Sequence, residues 1–570
     1  MNAFTIASIL LLVISWPLLL AMGMAFGATR PISLKLLPWA VLPGLATAIL
    51  LADTEFQLPG LMLGSELVLD DTGRIFLLLN AGLWLATGLI ARSQRYTVDT
   101  RRDVIMLLAM TGGFGMALAG DALLFFAAAT LTGYALYGLL ARDTGASSQR
   151  ARRILVGLLV ISDLMVFELL LMLGHTAGSV DFMSLRQAFM NTDNQELILG
   201  LAIIGFGVKA GVVGFHFWLA PVFMTTALAI RPALIGFVLS AGLLGWLRLL
   251  PLGEAHWVVA SNALQWLVWI TLGYAVLAGL LQQHFRSLLA SATLVLTGLW
   301  LALLGTVLEQ PQAWHEITTA VHTAILQSAF ALAALLILSP RTIKTLPARL
   351  HRLSTAAMWL AALLLITTPI YIAGSLARID STAALPMHWV TAVITFLVVR
   401  ALLLVTASSH SGSYMNTSLP QASQTATPTI LLVSVGLIAA ASLAASYSLI
   451  RLVYADIWPI VLVTPAAAAA AWLSASRYMS YQPVLVPAYL LTLISNVPSL
   501  VIGHSRRLTN EKLPRLHDAW LAALKQRWSN TSKRLKIEQI ESGLRRWHTA
   551  LTILLLLGLI VAFGGGSKNG

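Results

Sequence analysis

A chain of 570 residues that is 58% hydrophobic and only 10% charged, with a mean hydropathy of +0.83, is far poorer in charge than a soluble domain, where about 25% is usual. That excludes a large globular enzyme and points to a polytopic membrane protein. The net charge of +13 sits in short loops and one C-terminal tract, as the positive-inside bias expects, so a nucleic-acid-binding domain is excluded; the absence of cysteine excludes disulfides, thiolate metal sites and cysteine nucleophiles.

The first stretch, MNAFTIASILLLVISWPLLLAMGMAF, lacks a basic n-region and is too long and apolar for a signal peptide, so it reads as a first span near 4–24. Further apolar runs follow near 34–52, 75–92, 104–120, 122–141, 154–174, 197–220, 229–250, 260–281, 286–307, 315–338, 355–380, 387–407, 428–449 and 457–476, with a last one near 549–565. The expected fold is therefore an all-α polytopic membrane protein of about sixteen transmembrane helices; the runs are continuous, which excludes a β-barrel. Residues 1–480 form the transmembrane core and 549–570 a C-terminal anchor. Between them, 481–548 carries Pro487 and Pro498, then Leu516, Trp520 and Leu524 at four-residue spacing among Lys and Arg. This reads as a kinked amphipathic element lying along the cytoplasmic surface, about 100 Å long if mostly helical. A seventeenth span at 485–504 is the alternative.

Loop charge orients the spans. "ATRPISLK", "ARSQRYTVDTRRD", "ARDTGASSQRARR" and "SPRTIKTLPARLHR" fall on one side when the spans alternate, and the acidic loop 53–73 on the other. In a bacterial inner membrane this places the N-terminus in the periplasm and the basic loops in the cytoplasm.

An ionisable group within a span costs about 2.5–3.5 kcal/mol on insertion scales, so each needs a partner or a role. The candidates are Asp163 and Glu168 in the sixth span, Lys209 in the seventh, His322 in the eleventh, Arg378 late in the twelfth and Arg400 in the thirteenth. Arg231, Arg248 and Arg286 lie near span ends, where snorkelling to headgroups accounts for them. Counted from the basic side at a constant rise per residue, Asp163 and Lys209 fall at similar depth, so an ion pair between them is expected, with Glu168 left open as the other partner. Around the lysine, "GFGVKAGVVGFHFW" holds Gly205, Gly207, Gly211 and Gly214. Glycine weakens a helix, so the seventh span is expected to loosen just past Lys209, or else to pack closely on a neighbour. Pro369 and Gly374 before Arg378 offer a parallel in the twelfth.

These stretches, with "ALIGFVLSAGLLGWLRLLPLG", "ELVLDDTGRIFLLLNAGLWL" and "QQHFRSLLASATLVLTG", resemble the antiporter-like subunits of respiratory complex I, Mrp-type cation/proton antiporters and membrane-bound hydrogenases. The resemblance covers nearly the whole chain and is most specific at 205–250. It implies broken helices 7 and 12, a buried lysine at Lys209, and His216 and Trp218 after it, with Gly214 in place of the family's proline. It also implies a relay through His322, Arg378 and Arg400. At other relay positions the chain departs. The fifth-helix glutamate falls near Thr130, the eighth-helix lysine at Ser240, and the eleventh-helix lysine at Leu326 beside Gln327. Thr130, Ser240 and Gln327 can hydrogen-bond water but cannot carry charge, and arginine does not readily release a proton.

The leading expectation is an antiporter-like subunit of a multi-subunit membrane complex that moves protons, or exchanges Na+ for H+, with other membrane subunits and the bilayer as partners. The alternatives are a structural or coupling subunit that has lost conduction, and the membrane partner of a proton-driven inorganic-carbon uptake complex. No motif binds a nucleotide, flavin or iron–sulfur cluster, and no histidine spacing suits a metal, so no cofactor is expected and any redox chemistry belongs to another subunit.

Overall fold

The computed structural model describes residues 3–58, 64–94, 99–140, 145–338, 348–377, 385–410 and 427–452. The expected span at 457–476, the element at 481–548, the anchor at 549–570 and Arg378 lie outside the described residues. Within them the chain is a helical bundle in which eleven helices are long and apolar enough to cross a membrane.

The first helix, α1 (Ala3–Gly23), runs unbroken, with Pro17 inside it. The next apolar run, Arg30–Leu50, is helical throughout but not α-helical throughout. Pro38 and Pro43 cannot donate backbone hydrogen bonds, and the run divides into α2 (Arg30–Leu36), a 3-10 turn at Leu37–Val41 and α3 (Leu42–Leu50). The acidic loop that follows is partly a β-hairpin, a small exception to the expected all-helical fold. Its strands β1 (Thr54–Leu58) and β2 (Ser65–Leu69) pair antiparallel, Thr54 opposite Leu69 and Leu58 opposite Ser65.

Four helices then carry the first half of the core: α4 (Asp71–Ser93), α5 (Thr100–Leu118), α6 (Ala122–Leu140) and α7 (Ala146–Ala177). A short α8 (Phe182–Asn191) leads to α9 (Gln195–Ala210) and, after a gap, to α10 (Leu219–Thr225). Arg231–Leu249 is a single rod of α11 (Arg231–Phe237), a π-helical turn at Val238–Leu243 and α12 (Leu244–Leu249). The remaining helices are α13 (Val258–Leu281), α14 (Phe285–Glu309), α15 (Ala313–Ile337), α16 (Ala348–Leu376), α17 (Leu385–His410) and α18 (Thr427–Leu452). α14 is buried along its length and α15 nearly so, whereas α7 and α13 each keep an outward stripe of exposed apolar side chains. That sorting follows from sequence. α14 is small and apolar on every side, while α13 shows Trp266, Ile270 and Leu277 on one face.

The hairpin, the α5–α6 turn and the α7–α8 turn share one end of the bundle. Leu67 bridges Ala119, Asp121 bridges Asp181, and the Glu66 amide donates to Asp121 Oδ2 at 2.9 Å. Burial, then the charges of Glu55, Asp181 and Asp121, push the Glu66 carboxyl above its ordinary value.

At the same end Asp70 caps α4, accepting from the Gly73 amide at 2.8 Å, and takes both guanidinium nitrogens of Arg248 at 2.6 and 2.7 Å. Burial opposes the charged form of Asp70, but the Arg248 charge and hydrogen bonds with the Gly73 amide outweigh it, so its pKa lies below the usual aspartate value. A depressed carboxyl stabilises the fold above its unfolded pKa and loses that contribution as pH falls through the folded value. Asp70→Ala is therefore expected to cost about 1–2 kcal/mol at neutral pH, mostly through the cap because the pair is partly screened by solvent. Thermal unfolding of purified protein at pH 7 and pH 3 checks this: the difference from the parent should shrink at the lower pH, and a constant difference contradicts it.

Arg231 and Arg248 are not snorkelling. Arg231 is buried and donates to the carbonyls of Leu336 at 2.7 Å and Thr226 at 3.3 Å, and Arg248 holds Asp70. Arg286 likewise donates to the Met224 carbonyl at 2.6 Å, at the end of α10. Helix ends expose carbonyls without partners, and Arg231 and Arg286 satisfy them.

Candidate functional site

α7 and α9 meet at Gly205. A Cβ there would stand 2.6 Å from Val166 Cγ2, so glycine is what lets the two backbones approach. Ser162 uses that approach to donate to the Gly205 carbonyl at 2.6 Å. One turn further along α9, Lys209 Nζ donates to Asp163 Oδ1 at 2.7 Å. The lysine side chain is 1% exposed and the aspartate 13%. Lys209 also lies in the last turn of its helix, where the partial negative charge of the helix end favours a cation, and its ammonium stands 6.0 Å from the centre of the Phe126 ring.

Directly after the lysine the helix stops. Gly211 adopts φ 75°, its amide donates to the Val208 carbonyl, and the Val212 amide reaches back to Gly207 O at 2.8 Å. That is a Schellman closure, which needs a left-handed residue at this position. Gly214 is a second left-handed residue, at φ 89°, before a 3-10 turn at His216–Trp218 and then α10. The carbonyls released at the gap are held by side chains. Trp218 Nε1 donates to Val208 O at 2.8 Å, and Thr297 Oγ1 of α14 donates to Ala210 O at 2.8 Å. No sequence pattern announced Thr297, whereas Trp218 was legible as a residue but not as a brace.

The other candidates are dispersed. Glu168 lies on the outward face of α7, away from Lys209, and His216 packs its ring against Tyr274 of α13, 4.4 Å between centres. His322 on α15 is buried, with Nε2 3.2 Å from Thr72 Oγ1. Ser240 sits within the π-helical turn and accepts from Asn80 Nδ2 at 2.8 Å. Gln327 Nε2 donates to Leu364 O and Thr367 Oγ1, both at 2.8 Å, just before Pro369; α16 continues helically through that proline to Leu376. Arg400 is buried and donates to Leu280 O at 2.9 Å. The Thr130 hydroxyl is buried with no protein partner. One turn after it on the same face of α6 lies Tyr134, whose phenol is within electrostatic reach of the Asp163 carboxylate.

A cavity between the π-helical turn, α14 and α15 is lined by Val238, Thr293, Thr297, Trp300 and Ser328. Among the described residues, neither the buried Trp300 indole N–H nor the buried Gln327 Oε1 has a hydrogen-bond partner. Thr297 thus touches both the helix end beside Lys209 and this cavity.

Comparison with known proteins agrees with the architecture. Residues 119–405, just over half of the chain, match the family described as NADH:quinone oxidoreductase/Mrp antiporter, transmembrane. NADH-quinone oxidoreductase subunit N of Deinococcus radiodurans is 30% identical over 211 residues, covering 36% of this chain and 42% of that protein. Hydrogenase-4 component B of Escherichia coli is 28% identical over 144 residues, covering 24% of this chain and 20% of its own length. A chain in the structure of the Mrp complex from Dietzia sp. DQ12-45-1b shares the fold with a TM-score of 0.59 at 18% identity, over 99% of this chain and 63% of that one. The aligned stretches thus span less than half of either curated relative. With the family model matched across α6 to α17, this multi-pass membrane protein belongs to the NADH:quinone oxidoreductase/Mrp antiporter transmembrane family.

Proposed function

We propose that this chain is an antiporter-like subunit of a multi-subunit complex that translocates protons, or exchanges Na+ for H+, across a bacterial inner membrane. The observation that carries this reading is the Lys209–Asp163 pair, a fully buried ammonium 2.7 Å from a carboxylate at a helix end. A static pair costs desolvation at least equal to what it returns, so retaining one deep in a membrane favours a working role. In this reading Lys209 exchanges a proton or a partner, the cavity beside Thr297 and Trp300 offers a continuation of the path, and Gln327, His322, Arg378 and Arg400 are its further members. Thr130, Ser240 and His216 are the polar members of the proposed path. About sixteen spans, a broken seventh helix, a cytoplasmic lateral element at 481–548, an anchor at 549–570 and a periplasmic N-terminus complete the proposed topology; the break expected in the twelfth span at Pro369 is not part of it, since α16 runs through that proline.

The second reading, a coupling subunit without conduction, is favoured by one feature. Ser240, Gln327 and Arg400 each already make a structural hydrogen bond. Flux separates the two. In the native complex, Lys209→Met and Asp163→Asn are each expected to lower ion-driven flux per assembled complex about tenfold or more, a barrier increase of at least ~1.4 kcal/mol. Normal assembly with parental flux ends the transport reading.

A further inference from the structure

α7 carries a polar group where none is tolerated by lipid. Arg153 and His175 are both exposed and stand 22 positions apart, about 33 Å along the helix, close to the thickness of a bilayer's hydrocarbon core. Between them the outward stripe consists of Val160, Leu164, Phe167, Leu171 and Glu168, all exposed. Glu168 lies about 10 Å inside that stretch from the His175 level. Among the described residues its carboxylate joins no ion pair and no hydrogen bond. The neighbouring α6 adds the exposed side chains of Leu131 and Tyr134. The outward face of α7 therefore carries the Glu168 carboxylate, while Lys209 is already engaged with Asp163.

We infer that the α6–α7 face is a subunit interface. It docks a transmembrane helix of another membrane subunit that presents a lysine or arginine at the depth of Glu168. Charge complementarity selects the occupant: an apolar helix would leave Glu168 unpaired in hydrocarbon, at a cost of the order seen for buried carboxylates in spans. A basic helix pairs with it and covers Leu164, Phe167 and Leu171. The inference does not require that the chain conducts, so it survives or fails separately from the transport reading.

The test uses the full complex in native membranes. The photo-crosslinking amino acid p-benzoylphenylalanine is placed at Leu164 and, as a control, at Trp266 on the exposed stripe of α13. After irradiation, the crosslinked peptides are identified by mass spectrometry. The expected product from Leu164 is a peptide of a different membrane subunit, with Lys or Arg within one helical turn of the attachment point, and no such product from Trp266. Glu168→Lys is then expected to lower co-purification of that subunit about tenfold. Changing the partner's basic residue to Glu is expected to restore it. Crosslinks to lipid alone, to another part of this chain, to a second copy of it or to a helix without a basic residue overturn the inference. Undiminished co-purification of Glu168→Lys does so as well.

Discussion

Lys209→Met should lower the stability of the purified chain by about 3 kcal/mol, and adding Asp163→Leu should return most of that loss. Removing one member of a buried pair leaves the other charge uncompensated, which costs about 3–5 kcal/mol, whereas replacing both by apolar groups of similar volume is close to neutral. The lower figure applies because Asp163 keeps an edge outside the bundle at 13% exposure. The interaction is a non-additive one by construction: two side chains 2.7 Å apart share one electrostatic term, and a double-mutant cycle isolates it. Unfolding of the two single variants and the double variant in one detergent measures the coupling. Additive losses would show that the two side chains are not bound to each other in the folded protein.

The second large effect is expected at Gly211. Its φ of 75° is a region a β-branched residue does not enter without strain, and a Cβ would also press on Leu219. Gly211→Val should cost about 2–3 kcal/mol and reduce the yield of folded protein. Gly214→Ala is the matched comparison. It has a similar left-handed φ of 89° but nothing within 4 Å of the added carbon, so it should cost about 1 kcal/mol. Equal losses at the two positions would rule out the packing contribution of Leu219.

Much of this arrangement was readable from residues alone. Spans follow from apolar run length, and matched depth follows from a constant helical rise, which is why Lys209 and Asp163 could be paired on paper. Spacing could also have decided against Glu168. Five residues on an α-helix turn the side chain by about 140°, so Asp163 and Glu168 cannot both face α9. Glycine was harder, because one composition serves two physical ends. Gly205 lets helices approach, whereas Gly211 and Gly214 supply left-handed backbone, and only the neighbours distinguish these uses. Arg231 and Arg248 were misjudged for a related reason. Their partners, Leu336 and Asp70, lie 105 and 178 positions away, where no local pattern reaches. The π-helical turn at Ser240 was invisible as well, since nothing in "GFVLSAGLL" departs from an ordinary helix.

The bracing of the gap after α9 bears on speed. Because Trp218 and Thr297 hold its carbonyls, the backbone around Lys209 has little left to release, and the part free to move is the lysine's four-carbon stem. An exposed side chain changes rotamer in picoseconds to nanoseconds and a helix shifts in microseconds or longer; the 1% exposed Lys209 is slower than the first but needs no part of the second. A swing of Lys209 away from Asp163 is thus limited by stripping the ammonium of its companion charge, not by mechanical rearrangement. Each such swing takes place within a frame whose carbonyls are already bound.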